Sequence, residues 1–114
     1  VMKTLLENHP KMARFKDVPL DELAISLRIV TEKAATNISK QAFDYAQKHG
    51  YKSVTIVEKP NVVRETSGIM VRQARKVAEA YDTIELWEAN IDAMTMWLVK
   101  NPQKYDVLVA SNLF

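Results

Sequence analysis

The stretch Ser53-Val54-Thr55-Ile56-Val57 decides the fold, because it is a short run rich in β-branched residues. Such residues favour extended backbone, and a short β-branched run is typical of a buried strand in a parallel sheet. Pro60 cannot donate to a sheet ladder, so the strand is predicted to end at Glu58-Lys59-Pro60-Asn61. The sequence therefore predicts a buried parallel strand over 53–57.

Helical patterns flank this strand on both sides. Apolar residues at helical spacing precede it from Thr31 and end at Gly50, a residue type that commonly terminates helices. A second apolar stripe runs from about Arg64 or Glu65 to Tyr81. The remaining predicted elements are a strand over 84–91, a third helix that Asp92 opens and Asn101-Pro102 ends, and a strand over 107–110. This alternation predicts an α/β fold with a parallel or mixed sheet and helices packed on it.

The first thirty residues carry weaker patterns. Up to about Val18 they combine a short amphipathic segment with His9-Pro10 and several charged residues, which is typical of irregular or weakly helical chain. Between 24 and 30, Ile25, Leu27 and Ile29 alternate with other residues, and this alternation predicts a strand.

Composition excludes several classes of function. The 114 residues are 47% hydrophobic and 26% charged, as in one ordinary domain, with a formal net charge of +2. Without cysteine there is no disulfide, thiolate nucleophile or cysteine-ligated zinc, and His9 and His49 lie too far apart for a helical metal pair. No basic patch interleaved with aromatic residues indicates nucleic-acid binding, and no apolar run reaches membrane-spanning length. A cytoplasmic setting is the simplest interpretation.

Both ends of the chain favour a piece of a larger protein. The chain begins at Val1 rather than at methionine, and it stops at 111–114 directly after an apolar run. We therefore expect an internal fragment that is inactive alone.

Four polar residues follow predicted strands, where ligands of parallel sheets collect: Lys59, Asn61, Asp92 and Asn112. Lys59 can direct its ammonium group at an anionic substrate or a bound water, or it can be an ordinary surface lysine. Asp92 can bind a hard divalent cation through oxygen, or it can cap a helix that begins at Ala93, and the two roles are compatible.

Other noticeable residues are interpreted as structural. Met94, Met96 and Trp97 are assigned to core packing or a subunit interface. Gly50 and Gly68 are the only glycines, so no glycine-rich phosphate loop is present.

Several segments, taken in order, resemble the isocitrate and isopropylmalate dehydrogenase family of β-decarboxylating dehydrogenases. Residues 57–63 (VEKPNVV) are similar to that family's strand, lysine and asparagine before a helix. The other matches are residues 31–34, 42–46, 66–68, 90–94, 98–102 and 105–114, in family order and spacing. The resemblance covers about 29–114 and implies the family's small α/β domain, truncated at its C-terminal end. Residues 1–28 correspond loosely to the variable arm or clasp that family members use in dimer contacts.

The resemblance implies roles for three residues. Lys59 is expected to transfer protons across a dimer during oxidation and decarboxylation, and Asn61 to line the substrate and nicotinamide region. Asp92 is expected to be the metal carboxylate that one subunit contributes to its partner's site. NAD or NADP, Mg²⁺ or Mn²⁺, and a homodimer with a shared site are implied in the same way. Two residues depart from the family pattern: Glu58 stands where many members have histidine, and Pro60 where a small residue is frequent.

The expected parent enzyme oxidises and decarboxylates a 2-hydroxy acid that bears a 3-carboxylate. Isocitrate is the first expectation and isopropylmalate the next, with homoisocitrate and tartrate still open. The paired metal aspartates, the substrate arginines, the catalytic tyrosine and most of the nucleotide site are expected outside this chain. A different class of hypothesis is a non-catalytic α/β dimerisation domain. A weaker one is a response-regulator-like or nucleotide-binding module, which would need an acidic cluster or glycine loop that the sequence lacks.

Overall fold

The computed structural model describes all residues 1–114. It contains four α-helices and three strands, in the order α1 (Met2–Asn8), α2 (Glu32–His49), β1 (Ser53–Glu58), α3 (Arg64–Ala78), β2 (Glu85–Asn90), α4 (Ile91–Lys100) and β3 (Val107–Ala110). Short 3₁₀ helices lie at Ala13–Phe15, Leu20–Glu22 and Pro102–Lys104. The predicted α/β class is therefore confirmed.

The helix before β1 begins and ends through local hydrogen bonds. At its start, the Thr31 hydroxyl accepts a hydrogen bond from the Ala34 N–H at 3.1 Å, satisfying one free donor of the first turn. At its end, Gly50 adopts a left-handed φ of 72°, and the Tyr51 N–H donates to the Ala46 carbonyl at 2.9 Å. This is a Schellman ending, which favours glycine because a side chain would be strained at that φ. The predicted stop at Gly50 is confirmed.

The three strands form one parallel sheet in the order β2-β1-β3. In register, Val54 of β1 pairs with Leu86 of β2 on one side and with Val107 of β3 on the other. Every residue of β1 is buried, as predicted for a strand covered on both faces.

Crossover direction places the helices on opposite faces of this sheet. The chain moves from β1 to the β2 side through α3, and then passes back across β1 to β3 through α4. Right-handed crossovers in opposite directions put their helices on opposite faces. Accordingly, α2 and α3 share a buried core with Val54, Ile56 and Val109, whereas α4 lies against the face that carries Thr55 and Trp87.

The predicted strand over 24–30 is wrong. No backbone group from 24 to 30 makes a backbone hydrogen bond, and the two edge strands of the sheet pair only with β1. Leu27 and Ile29 are exposed, so the apolar alternation faces solvent instead of a core. The segment is held instead by its side chains, with Arg28 donating to the Ser111 hydroxyl at 3.1 Å. Alternation alone does not make a strand, because a strand also needs a neighbour that pairs with it, and neither β2 nor β3 does so here.

None of the helices has the length and apolar character required to cross a lipid bilayer.

Candidate functional site

The carboxyl ends of β1 and β2 form the candidate site. These strands are neighbours, but the chain leaves β1 towards α3 on one face and leaves β2 towards α4 on the other. Such a topological switch point opens a crevice beyond the strand ends, which is where open parallel sheets bind ligands. Lys59 and Asn61 follow β1, and Asp92 follows β2. The fold therefore brings the three predicted site residues to one crevice.

Lys59 and Asp92 form an ion pair across this crevice. The Lys59 Nζ lies 2.7 Å from Asp92 Oδ2 and 3.0 Å from Oδ1, so that one ammonium group contacts both carboxylate oxygens. Lys59 is partly buried, whereas Asp92 is mostly exposed. The pair is therefore open to solvent on the carboxylate side, where a cation can approach Asp92.

Asn90 forms side-chain hydrogen bonds with both Asn61 and Asp92. Its side-chain amide donates to Asn61 Oδ1 at 3.0 Å, and its own Oδ1 accepts from the Asp92 N–H at 3.0 Å. Asn90 is thus the N-cap of α4, which begins at Ile91. The proposed cap role of Asp92 is wrong, because Asp92 is the second helical residue and its carboxylate contacts Lys59 instead. An asparagine directly before an apolar helical run is a standard capping pattern, and the sequence therefore contained the clue to Asn90.

The backbone that carries Lys59 is fixed by a buried network that the sequence did not predict as functional. Glu58 is 1% exposed and accepts from the Ser67 hydroxyl at 2.7 Å and from the Ser111 N–H at 3.1 Å. The Ser67 oxygen in turn accepts from the Lys59 N–H at 3.3 Å. Glu58 is the one charged residue of this buried strand, and a charged residue in such a place indicates a network, since charged groups are buried only with partners.

A shallow cleft extends from the crevice between the strand ends and α3, and Val71, Asn61 and Asn90 are among its lining residues. Glu88 of β2 also lines it and accepts two hydrogen bonds from the Arg75 guanidinium, at 2.6 and 2.8 Å. This side-chain hydrogen bond and the charge of Arg75 hold the pKa of Glu88 below its ordinary value, against the opposing effect of partial desolvation. Glu88 is therefore an anion held in place beside the cleft at neutral pH.

The fourth strand-end residue, Asn112, is not part of this arrangement. It lies against residues 26–30 together with Leu113, beyond the end of β3. The structure thus separates Asn112 from the crevice that contains Lys59 and Asp92.

The residues present can supply only part of a metal site. No group of three or more His, Asp or Glu side chains is arranged to hold a metal ion. Asp92 offers one exposed carboxylate of the kind that Mg²⁺ and Mn²⁺ prefer, whereas the Asn61 oxygen is engaged by Asn90. Asp92 therefore fits as one ligand, and the remaining ligands of such a site would have to come from elsewhere.

Comparison with known proteins gives a consistent result. A family model described as isocitrate/isopropylmalate dehydrogenase matches residues 8–114. A 3-isopropylmalate dehydrogenase of Methanothermobacter thermautotrophicus is 42% identical over 93 residues, covering 82% of this chain and 28% of the relative. A probable mitochondrial NAD isocitrate dehydrogenase subunit alpha of Drosophila melanogaster is 36% identical over 95 residues, covering 83% of this chain and 25% of the relative.

Solved structures agree with the curated relatives. The crystal structure of isocitrate dehydrogenase from Methylococcus capsulatus superposes with a TM-score of 0.76 at 38% sequence identity, covering 84% of this chain and 29% of that one. The TT0538 protein from Thermus thermophilus superposes with a TM-score of 0.79 at 29% identity, covering 81% and 19%. The chain thus spans about a quarter of the length of the curated relatives it matches.

Proposed function

Because this chain belongs to the isocitrate/isopropylmalate dehydrogenase family, we propose that it forms part of an enzyme that oxidises and decarboxylates a 2-hydroxy acid. The proposed cofactors are NAD or NADP together with Mg²⁺ or Mn²⁺. Isocitrate is the first proposed substrate and 3-isopropylmalate the alternative, since the relatives include dehydrogenases named for each. The observation that carries the proposal is the contact of Lys59 with Asp92 at the switch point of the sheet.

In the proposed reaction, residues of this chain hold the metal ion, contact the substrate and transfer a proton. Asp92 would be one ligand of the divalent cation, and Asn61 would contact the substrate or the nicotinamide. The cation would supply electrostatic stabilisation of the oxygen that gains charge as carbon dioxide leaves, and the nicotinamide would accept the hydride. With Asp92 holding the cation, Lys59 would be free of its ion-pair partner, and its Nζ would donate a proton to the substrate as an ammonium or accept one as a neutral amine.

A second copy of the chain is proposed to complete the site. Asp92 is mostly exposed, so its carboxylate is accessible to groups of another subunit. Met96, Trp97 and Leu98 on α4 also leave a large apolar area in solvent. Large exposed apolar patches mark interfaces in proteins. We therefore propose a homodimer in which Lys59 and Asp92 of one subunit serve the site of the other, with residues 1–28 as a variable arm at that interface.

We propose the cytoplasm as the compartment, although several relatives carry names that place those proteins in mitochondria or chloroplasts.

A non-catalytic dimerisation domain is the alternative for the isolated chain. It is favoured by the single carboxylate available for a metal and by the exposed apolar surface of α4. In that case Lys59 and Asp92 form an ordinary surface ion pair, which contributes little to stability.

The experiment compares the full-length protein with its Asp92→Asn and Lys59→Ala variants. Isothermal titration with Mn²⁺ and isocitrate measures binding, and NAD(P)H absorbance measures turnover. Asp92→Asn is expected to weaken metal-dependent binding at least about tenfold, which corresponds to about 1.4 kcal/mol. Lys59→Ala is expected to bind substrate but to lose about 10²- to 10⁴-fold in turnover, the range for a positioned proton-transfer group.

Controls use exposed residues of the same chemistry away from the crevice. Asp82→Asn is the control for Asp92→Asn, and Lys76→Ala is the control for Lys59→Ala. Asp82 and Lys76 are exposed and form no ion pair. Repeating the assay with 3-isopropylmalate assigns the substrate from the ratio of kcat/KM values. If both site variants bind and react like wild type, the dimerisation domain is the better account.

A further inference from the structure

Glu58 occupies a position that is costly for a charged residue. It is the last residue of β1, 1% exposed, and belongs to neither of the two ion pairs of the chain. Burying a carboxylate without a cationic partner is unfavourable unless hydrogen bonds compensate, as those from Ser67 and Ser111 do here.

The two hydrogen bonds of Glu58 reach two different loops. Through Oε2 and the Ser67 hydroxyl, the network continues to the Lys59 N–H, which fixes the turn that carries the Lys59 side chain. Through Oε1 it holds the N–H of Ser111, one residue beyond the last paired residue of β3, Ala110. One carboxylate therefore fixes the turn of Lys59 and the segment that leaves β3 relative to each other.

At the opposite end of the same two strands, β1 and β3 are joined by a link that lies far from the crevice. There, exposed Asp106 joins the starts of β3 and β1 by accepting from the N–H groups of Lys52 and Ser53, at 2.9 and 3.0 Å. The β1–β3 pairing is thus already secured by its ladder and by Asp106. The buried link at Glu58 acts on the loops beyond the ladder, beside the crevice.

We propose that Glu58 is a positioning residue: acting through Ser67, it sets the location of Lys59 relative to Asp92, and it also fixes the segment after β3. The proposal rests on the proposed function for its catalytic consequence, because the placement of the Lys59 Nζ then governs proton transfer. Displacement of a catalytic group by about 1 Å can cost about 10²-fold in rate.

The tests are Ser67→Ala and Glu58→Gln in the full-length protein. Ser67→Ala removes the link to the Lys59 N–H, while Glu58 can still accept from Ser111. Glu58→Gln replaces one of the two acceptor oxygens with a donor nitrogen and removes the negative charge, so the hydrogen bonds to Ser67 and to Ser111 are both weakened. Ser39→Ala is the control for Ser67→Ala, because Ser39 is equally buried but its hydroxyl has no partner. Asp106→Asn is the control for Glu58→Gln.

Kinetics and amide hydrogen exchange are the two measurements. We expect kcat to fall about tenfold in Ser67→Ala and Glu58→Gln, with the KM for the 2-hydroxy acid changed less than about twofold, because substrate binding does not need the placed Lys59 amine. The peptide that contains Lys59 is expected to exchange faster in both variants. The peptide that contains Ser111 is expected to exchange faster in Glu58→Gln alone. Ser39→Ala and Asp106→Asn should show neither effect at these two peptides.

The outcomes separate the two proposals. If the wild-type protein turns over none of the 2-hydroxy acids, the proposed function fails, and the exchange at Lys59 and Ser111 still decides whether Glu58 positions these loops. If wild type is active and the variants lose thermal stability while their kcat equals that of wild type, Glu58 is a structural link only and the positioning role is refuted.

Discussion

On one face of the sheet, α2 and α3 bury Val54, Ile56 and Val109 in a shared core, whereas on the other face α4 leaves Leu108 40% exposed. The first face is a complete core of twelve buried residues, drawn from both helices, from β1 and β3 and from the residue before β2. On the second face, Met94 is the single buried residue of α4. The same sheet is thus covered well on one side and incompletely on the other.

The two faces of the sheet therefore have different roles: one stabilises the domain, and the other leaves surface open to other molecules. A helix that is apolar on most of its surface is ordinarily buried, and α4 has apolar residues on its exposed sides as well. The covered face supplies the stability of the domain, while the open face and the adjoining crevice present α4, Asp92 and Lys59. A proposed subunit interface on α4 therefore lies directly beside the proposed site.

The largest effect is expected on the covered face, for Phe43→Ala. Phe43 is fully buried in the core, with its ring centroid 5.0 Å from that of Tyr81. Removing a buried aromatic side chain leaves a cavity and costs about 3–5 kcal/mol of unfolding free energy. Urea denaturation followed by tryptophan fluorescence measures this loss.

The control for this prediction is Tyr45→Ala on the same helix, where the residue is 52% exposed. A loss of about 0.5 kcal/mol or less is expected there, as for most surface substitutions. Equal losses in the two variants would mean that the core between α2, α3 and the sheet does not hold the domain together.

The sequence predicted the covered face well because its evidence is local. Each signal that was used can be recognised from residues close together in the sequence. These signals are the β-branched residues of β1, the apolar stripes of α2 and α3, and the helix stop at Gly50. The failed strand over 24–30 shows the limit, because a strand depends on a partner elsewhere in the chain. Its alternating pattern was genuine, but neither β2 nor β3 pairs with it.

The site was only partly predictable from the sequence, because part of it depends on contacts between residues that are distant in sequence. Strand ends and the order of elements were enough to select Lys59, Asn61 and Asp92. The strand order was not available from the sequence, and it is this order that separates Asn112 from the crevice. The network from Glu58 through Ser67 to Lys59 depends on how α3 meets β1, a contact that no short pattern encodes.

A smaller effect is expected on the open face, for Trp97→Ser. Trp97 is 38% exposed on α4, and tryptophan residues at protein interfaces often contribute strongly to binding. If a second copy covers this face, the substitution is expected to weaken dimerisation about tenfold, or about 1.4 kcal/mol. Sedimentation velocity over a concentration series measures the change.

Ile38→Ser provides the matched comparison for the open face. Ile38 is 41% exposed on α2, in the layer that covers the other side of the sheet. Its substitution is expected to leave the dimer unchanged. A dimer weakened equally by both substitutions, or by neither, would place the interface away from α4.

The smallest effect is expected for Arg75→Gln, which removes the ion pair between α3 and Glu88 of β2. The hydrogen bond and charge of Arg75 lower the pKa of Glu88 below 4.5 in the folded chain. A group whose pKa is lowered by folding stabilises the fold above its unfolded-state pKa, and this contribution disappears as the pH falls through the folded-state value. The melting temperature of Arg75→Gln should therefore lie slightly below that of wild type at pH 7, and the two should converge below pH 4.5.

Because both side chains are exposed, solvent screening keeps the difference small, and it should shrink further in high salt. A difference that persists unchanged in acid would show that Arg75 acts through the packing of its aliphatic stem and not through the charge of Glu88.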